Sequence, residues 1–151
     1  QYLPLDGSAE QTVADLVRRR LLAPEQAQAV DTAALQRFVA SPLAAELRKA
    51  DRVEREFRFS LLASAHDYYP QLGTEDEVLL QGVVDLFAVK DGKITVVDFK
   101  TDYVTSKTLR SKAEYYRPQL EAYSTALEKI WELPVVRRVL YFFHTGQAVE
   151  V

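Results

Sequence analysis

The sequence predicts a mixed α/β domain: a β-β-β-α-β core behind an N-terminal layer of helices. Three observations predict it. The first fifty residues hold short helical patterns marked off by capping residues and prolines. From Arg52 the apolar period changes to two, and two β-branched runs meet at Asp91-Gly92, a strong hairpin signal. A long helical stripe then separates those strands from a last apolar run at 139–143.

In the lead-in, Ser8-Ala9-Glu10-Gln11 has the form of a capping box, with Val13, Leu16, Val17 and Leu21 following at helical spacing. Arg18-Arg19-Arg20 fits a solvated helix end better than a phosphate contact. Pro24 opens a short Ala/Gln-rich helix. Asp31 caps another that turns Leu35, Phe38 and Val39 inward, and Ser41-Pro42 starts one more, to about residue 50. No catalytic signature appears in this stretch.

The first strand is expected to place Val53, Arg55, Phe57, Phe59, Leu61 and Ala63 on one face. Arg52, Glu54, Glu56, Arg58 and Ser60 take the other, where periodicity alone makes Glu56 an ordinary face residue. A polar loop over 65–77 follows, with His66 read as a surface histidine. The second strand, 78–89, is apolar except for Gln81 and a carboxylate at Asp85. Lys90-Asp91-Gly92-Lys93 turns the chain, and 94–100 forms the third strand. With Asp91 and Gly92 as the two loop residues, Asp85 falls opposite Asp98, and Lys100 shares the face of Asp98. Two carboxylates about 5 Å apart repel by about 3 kcal/mol at an effective dielectric of about 20. A bound cation, or a proton held by one of the two, would relieve the pair.

Residues 107–117 form the most basic window: Lys107, Arg110, Lys112 and Arg117 against Glu114, with Tyr115 and Tyr116 among them. That mixture suits a nucleic-acid backbone with bases nearby, and equally a solvated helix start. Ser111 with Glu114 reads as a capping box, and Pro118 as a kink or the first turn of a further helix. Leu120, Tyr123, Leu127, Ile130 and Trp131 make an apolar stripe, and Tyr116, Gln119 and Tyr123 share a face. Leu133-Pro134 ends the helix. Strands at 139–143 and 148–151 close the chain around Thr145-Gly146-Gln147, with no role given to His144. The crossing helix predicts a parallel, right-handed connection, and the three earlier strands an antiparallel meander.

The 151 residues suit one domain, with 1–50 as helical lead-in and 51–151 as core, and 48% hydrophobic residues supply that core. A net charge of −3 gives no global basic field. The lack of cysteine removes disulfides and thiolate metal sites and fits a reducing cytoplasm. No apolar run or leader pattern suggests a membrane. A start without Met predicts a piece of a larger protein.

Gly82-Val83-Val84-Asp85, Asp98-Phe99-Lys100-Thr101 and Tyr116-Arg117-Pro118-Gln119-Leu120-Glu121-Ala122-Tyr123 together resemble the PD-(D/E)xK nuclease superfamily, in its RecB-like exonuclease branch. Gln1-Tyr2-Leu3, Phe38 with Ser41, Arg55-Glu56-Phe57-Arg58-Phe59 and Tyr141-Phe142-Phe143-His144-Thr145-Gly146 extend the likeness to the nuclease domain of AddA-type helicase–nuclease subunits. The resemblance implies a restriction-endonuclease-like core and a metal-dependent DNA exonuclease serving double-strand-break repair. It implies Mg²⁺ or Mn²⁺ held by Asp85, Asp98 and the Phe99 carbonyl, with Glu56 as an additional metal or water contact. Lys100 would activate water and stabilise developing charge, while Gln119 and Tyr123 orient the site or the DNA. Lys107, Arg110, Lys112, Tyr116 and Arg117 would contact DNA.

It further implies an AddB-type partner in a heterodimer, in the bacterial cytoplasm, and ATP only for helicase parts, of which no Walker A pattern occurs here. Members of this branch carry a metal-binding His upstream of the stretch matching Gln1-Tyr2-Leu3. Neither His66 nor His144 fits that place, so weak activity or none is the expectation for this chain. Two other readings remain: a silent DNA-guiding module of the same fold, and an unrelated α+β domain whose acid pair shares a proton.

Overall fold

The computed structural model describes Leu5 and residues 7–67, 71 and 76–151. The Gln1-Tyr2-Leu3 match and most of the loop expected at 65–77 lie outside the described residues. Four short helices come first: α1 (Ala9–Arg18), α2 (Pro24–Gln28), α3 (Thr32–Val39) and α4 (Pro42–Leu47). Ser8, Asp31 and Ser41 cap α1, α3 and α4 by accepting from the N–H groups of Gln11, Ala34 and Ala44. Then follow β1 (Arg52–Ser64), β2 (Glu77–Lys90), β3 (Lys93–Lys100), α5 (Leu109–Trp131), β4 (Val135–Phe142) and β5 (Gln147–Glu150). The strands lie side by side in chain order. β1, β2 and β3 form the antiparallel meander, α5 carries the chain to a parallel β4, and β5 returns antiparallel. This is the mixed sheet flanked by helices that the sequence predicts. Among the described residues no helix is long and apolar enough to cross a membrane.

Each side of the sheet has its own core. On one side Phe38, Leu43 and Leu47 of the helical layer pack against Leu86, Ala88, Val97 and Tyr141. On the other, α5 brings Ala126 and Leu127 to Phe87, Ile94 and Val96, and Leu120 to Leu140 and Phe142.

Four details depart from expectation. β4 begins at Val135, four residues before the expected 139, because Arg137 and Arg138 pair in the parallel ladder. Arg137 keeps its charge satisfied there through Glu46 at 2.5 Å and Glu150 at 3.1 Å. Ser111 is not a cap: its Oγ donates to the Thr108 carbonyl at 2.9 Å, and α5 runs unbroken past Pro118. Ile130 turns outward, 43% exposed.

The fourth departure shapes the site. Val53 packs on the helical-layer side, whereas Phe57, Phe59 and Leu61 pack toward α5, so β1 does not keep one face. β2 reverses likewise, with Val84 toward α5 and Leu86 and Ala88 toward the helical layer. Between these residues lie Glu56, with a left-handed φ of +50°, and Asp85. In the β1–β2 register Phe57↔Val84 and Arg55↔Leu86 flank them. A non-glycine residue at positive φ inside a strand is strained, and such strain concentrates at functional sites.

Candidate active site

The Asp91-Gly92 turn sets the expected register, with Lys90↔Lys93 leading to Leu86↔Val97. There the β2–β3 ladder stops. Beyond it β2 pairs with β1 and β3 with β4, so the two strands part as a fork, with Asp85 on one prong and Asp98 on the other. The expectation of two acids directly opposite on one face is corrected accordingly. Asp85 Oδ2 accepts the Phe99 N–H at 2.9 Å and opens into the cavity on the helical-layer side. Asp98 points to the α5 side, where it meets Lys100. The reversal at Glu56 and Asp85 is the physical reason, since alternation holds only along an uninterrupted pleat.

Asp98 is 2% exposed. Lys100 Nζ lies 2.6 Å from its Oδ2, an ion-pair distance, but without hydrogen-bond alignment: among the described residues that buried oxygen accepts no aligned hydrogen bond. Burial pushes the Asp98 carboxyl up, Lys100 opposes the rise, and the charge of Asp85 adds to it. The acids therefore interact across the fork although they face different sides. Lys100 Nζ donates to Gln119 Oε1 at 2.9 Å, and Gln119 Nε2 donates to the Tyr123 hydroxyl at 2.7 Å. Burial raises the Tyr123 phenol, with Asp98 and Asp85 contributing. One turn-spaced face of α5 thus reaches the strand that carries Asp98 and Lys100.

The cavity on the other side is about 280 Å³, lined by Glu56, Asp85 and Arg55 among apolar residues that include Phe38, Phe99 and Phe143. Among the described residues, no three acids or histidines draw together as a ready cation site. A hard divalent ion can be held by one or two carboxylates, with waters and substrate phosphate completing its octahedron. Asp98, with an oxygen that accepts no aligned hydrogen bond among the described residues, and Asp85, whose charge reaches Asp98 across the fork, are carboxylates of the kind such an ion takes. Glu56 could join from the cavity side.

The basic window is partly engaged within the fold. Arg117 makes two hydrogen bonds to Glu114, at 3.0 and 2.9 Å. Lys112 reaches Asp102 at 2.7 Å. Tyr116 donates to Asp102 at 2.8 Å and lays its ring under Lys100. Lys107 and Arg110 are exposed and make no ion pair among the described residues. Sequence reasoning missed Asp102, although it follows the Asp98-Phe99-Lys100-Thr101 block directly. It also gave Gly82 no task. A Cβ there would stand 2.8 Å from the Phe59 ring and 3.2 Å from Tyr123, so only glycine lets both rings close over β2.

The sequence profile of the PD-(D/E)XK nuclease superfamily matches residues 2–150. Bacterial relatives named as ATP-dependent helicase/nuclease subunits, of the AddA type, align over nearly the whole chain. The one from Clostridium acetobutylicum is 32% identical over 140 residues, covering 91% of this chain and 11% of the relative. That from Ruminiclostridium cellulolyticum is 36% identical over 140 residues, 90% of this chain and 11% of the relative. That from Geobacillus kaustophilus is 37% identical over 158 residues, 98% of this chain and 13% of the relative. The chain thus spans only about an eighth of each relative's length.

Proposed function

The chain belongs to the PD-(D/E)XK nuclease superfamily, and we propose that it is the DNA-cleaving part of a bacterial helicase–nuclease, a divalent-metal-dependent exonuclease domain. The observation that carries this reading is the joining of Asp98, Lys100, Gln119 and Tyr123 at the fork from which Asp85 also emerges. The domain spans the whole chain, 1–151. Relatives named as helicase/nuclease subunits support a larger parent in which ATP serves the helicase part. In that parent an AddB-type protein is the partner, DNA the substrate, the cytoplasm the compartment, and double-strand-break repair the purpose.

Asp85, Asp98 and the Phe99 carbonyl would hold Mg²⁺ or Mn²⁺, with Glu56 contributing from the cavity. Bound there, the ion supplies Lewis acidity toward the scissile phosphate and a more acidic water. The chain's own residues do the rest. Lys100 is held by Gln119 beside Asp98, where its ammonium can orient the attacking water and offset charge gathering on the phosphoryl oxygens. Tyr123 fixes the amide of Gln119, so the Oε1 that takes up Lys100 is not free to rotate. Lys107 and Arg110 are the exposed cations available to the phosphate backbone.

Mn²⁺ tests the reading. A ligand bound only by the folded state at one hundred times its Kd stabilises by about 2.7 kcal/mol. For a domain of this size that is a rise in Tm of roughly 5–11 °C. Asp98→Ala should lose the rise, whereas Lys100→Ala should keep it and lose cleavage. A silent DNA-guiding module is the second reading, favoured by the lack of a three-acid cluster among the described residues. It predicts no rise at millimolar Mn²⁺ in the wild type.

A further inference from the structure

Lys100 sits on an aromatic support that the proposed catalytic role does not use. Its Nζ lies 4.0 Å from the centre of the Tyr116 ring. The Tyr116 hydroxyl donates to Asp102 Oδ2 at 2.8 Å, and Lys112 Nζ holds the other oxygen, Oδ1, at 2.7 Å. We propose that Tyr116 and Asp102 are positioning residues for Lys100: Asp102 locks the Tyr116 ring, and the ring face fixes the ammonium beside Asp98 and the fork. The catalytic part of this inference rests on the nuclease reading above.

Three physical arguments support it. Lysine carries about 2 kcal/mol of rotamer entropy on a flexible stem, so a lysine that must meet a reacting phosphate gains from being held in advance. Gln119 gives Lys100 one acceptor and Asp98 lies in ion-pair contact, and an aromatic face takes up the ammonium from a further direction. A phenol donating its proton to a carboxylate has a more electron-rich ring, which strengthens its attraction for a cation. Asp102, steadied by Lys112, therefore acts through the ring on Lys100.

The same geometry argues against Tyr116 as a stacking platform for a base. Its hydroxyl is pinned and the ring face under Lys100 is taken. Its neighbour Tyr115, 74% exposed, has the accessible ring of the pair.

The test has a spectroscopic arm and a kinetic arm. In protein carrying ¹³C-labelled lysine, the ε-methylene signals of Lys100, assigned by their loss in Lys100→Met, should be shifted upfield by the ring current. The shift should persist in Tyr116→Phe and vanish in Tyr116→Leu. An ordinary lysine position in the wild type overturns the proposal, and this arm stands even for a protein that cuts nothing. In the kinetic arm, Tyr116→Phe and Asp102→Asn should each lower kcat about tenfold, and Tyr116→Leu somewhat more, from the loss of one charge-assisted hydrogen bond and a cation–π contact. KM for a DNA strand should stay within about twofold in all three, and the Mn²⁺ rise in Tm should be unchanged. A raised KM with unchanged kcat would make Tyr116 a DNA contact and overturn the proposal. If Tyr116→Leu does not fold, Tyr116→Phe and Asp102→Asn carry the kinetic arm by themselves. A wild type with the upfield Lys100 signal but no Mn²⁺ rise in Tm defeats the nuclease reading and leaves the positioning intact.

Discussion

Tyr116 and Asp102 give a pH signature at the scale of single side chains. The hydrogen bond to Asp102 first, and burial second, push the Tyr116 phenol up to about 12. An acid whose folded pKa lies above its unfolded value, about 10 for tyrosine, holds its proton more tightly in the fold. Its contribution to stability is whole below about pH 10 and is lost as pH rises through about 12. Asp102 runs the other way. Lys112 first and Tyr116 second hold its carboxyl below the usual range, so its contribution is present above that range and lost as pH falls through the depressed value. The phenolate absorbance of Tyr116, taken as wild type minus Tyr116→Phe, should therefore titrate near 12 and move toward about 10 in Asp102→Asn. An unmoved midpoint would break the link between the two residues. Asp102 shows what was legible at this scale. The i, i+3, i+7 spacing of Tyr116, Gln119 and Tyr123 places all three on the sheet-facing side of α5, and Lys100 follows from Asp98 by alternation. The partner of a tyrosine hydroxyl depends on where a loop returns in space, and no local pattern encodes that.

Elements tell a similar story of strong local signals overridden at particular residues. The hairpin register follows from Asp91 and Gly92, whose φ values of +50° and +69° are those a two-residue turn requires. The reversal at Glu56 and Asp85 was not legible, because alternation assumes an unbroken pleat and nothing in glutamate announces a left-handed backbone. α5 hides its length in a comparable way. Proline within a helix removes one donor and crowds the preceding turn, yet Leu120, Ala126 and Leu127 are buried beyond it and Ala113 before it. Packing along both halves of the helix outweighs the local loss. Two substitutions test these elements. Gly82→Ala would press a methyl against Phe59 at 2.8 Å, with about 1–3 kcal/mol of overpacking expected, read as a lower Tm, together with a displaced Tyr123 and reduced cleavage. Glu132 ends α5 with φ +55°, and Glu132→Gly should relieve that strain by roughly 1 kcal/mol, visible as a higher urea midpoint at constant m.

At the scale of the molecule, the question is whether the helical layer is an appendage or half of the core. Sequence composition leaves this open, since 1–50 reads as a helical lead-in with no catalytic signature. The packing decides it. Leu86, Ala88, Val97, Val139 and Tyr141 belong to strands yet are buried against Phe38, Leu43, Ala44 and Leu47 of the lead-in. Glu56 and Asp85 share their cavity with Leu35 and Phe38 of α3 and with Leu5. Fully burying one large apolar side chain is worth about 1.5–3 kcal/mol, so uncovering several together would cost as much as the whole stability of an ordinary domain, about 5–15 kcal/mol. A chain beginning at Asp51 should consequently lack a cooperative thermal transition and the dispersed methyl signals of a packed core, and its Mn²⁺ response should go with them. A truncated chain that melts cooperatively near the full-length Tm would mean that the strands and α5 hold themselves together. In that case the face toward the helices would be an interface between two folding units, and the cavity beside Asp85 would lie between them.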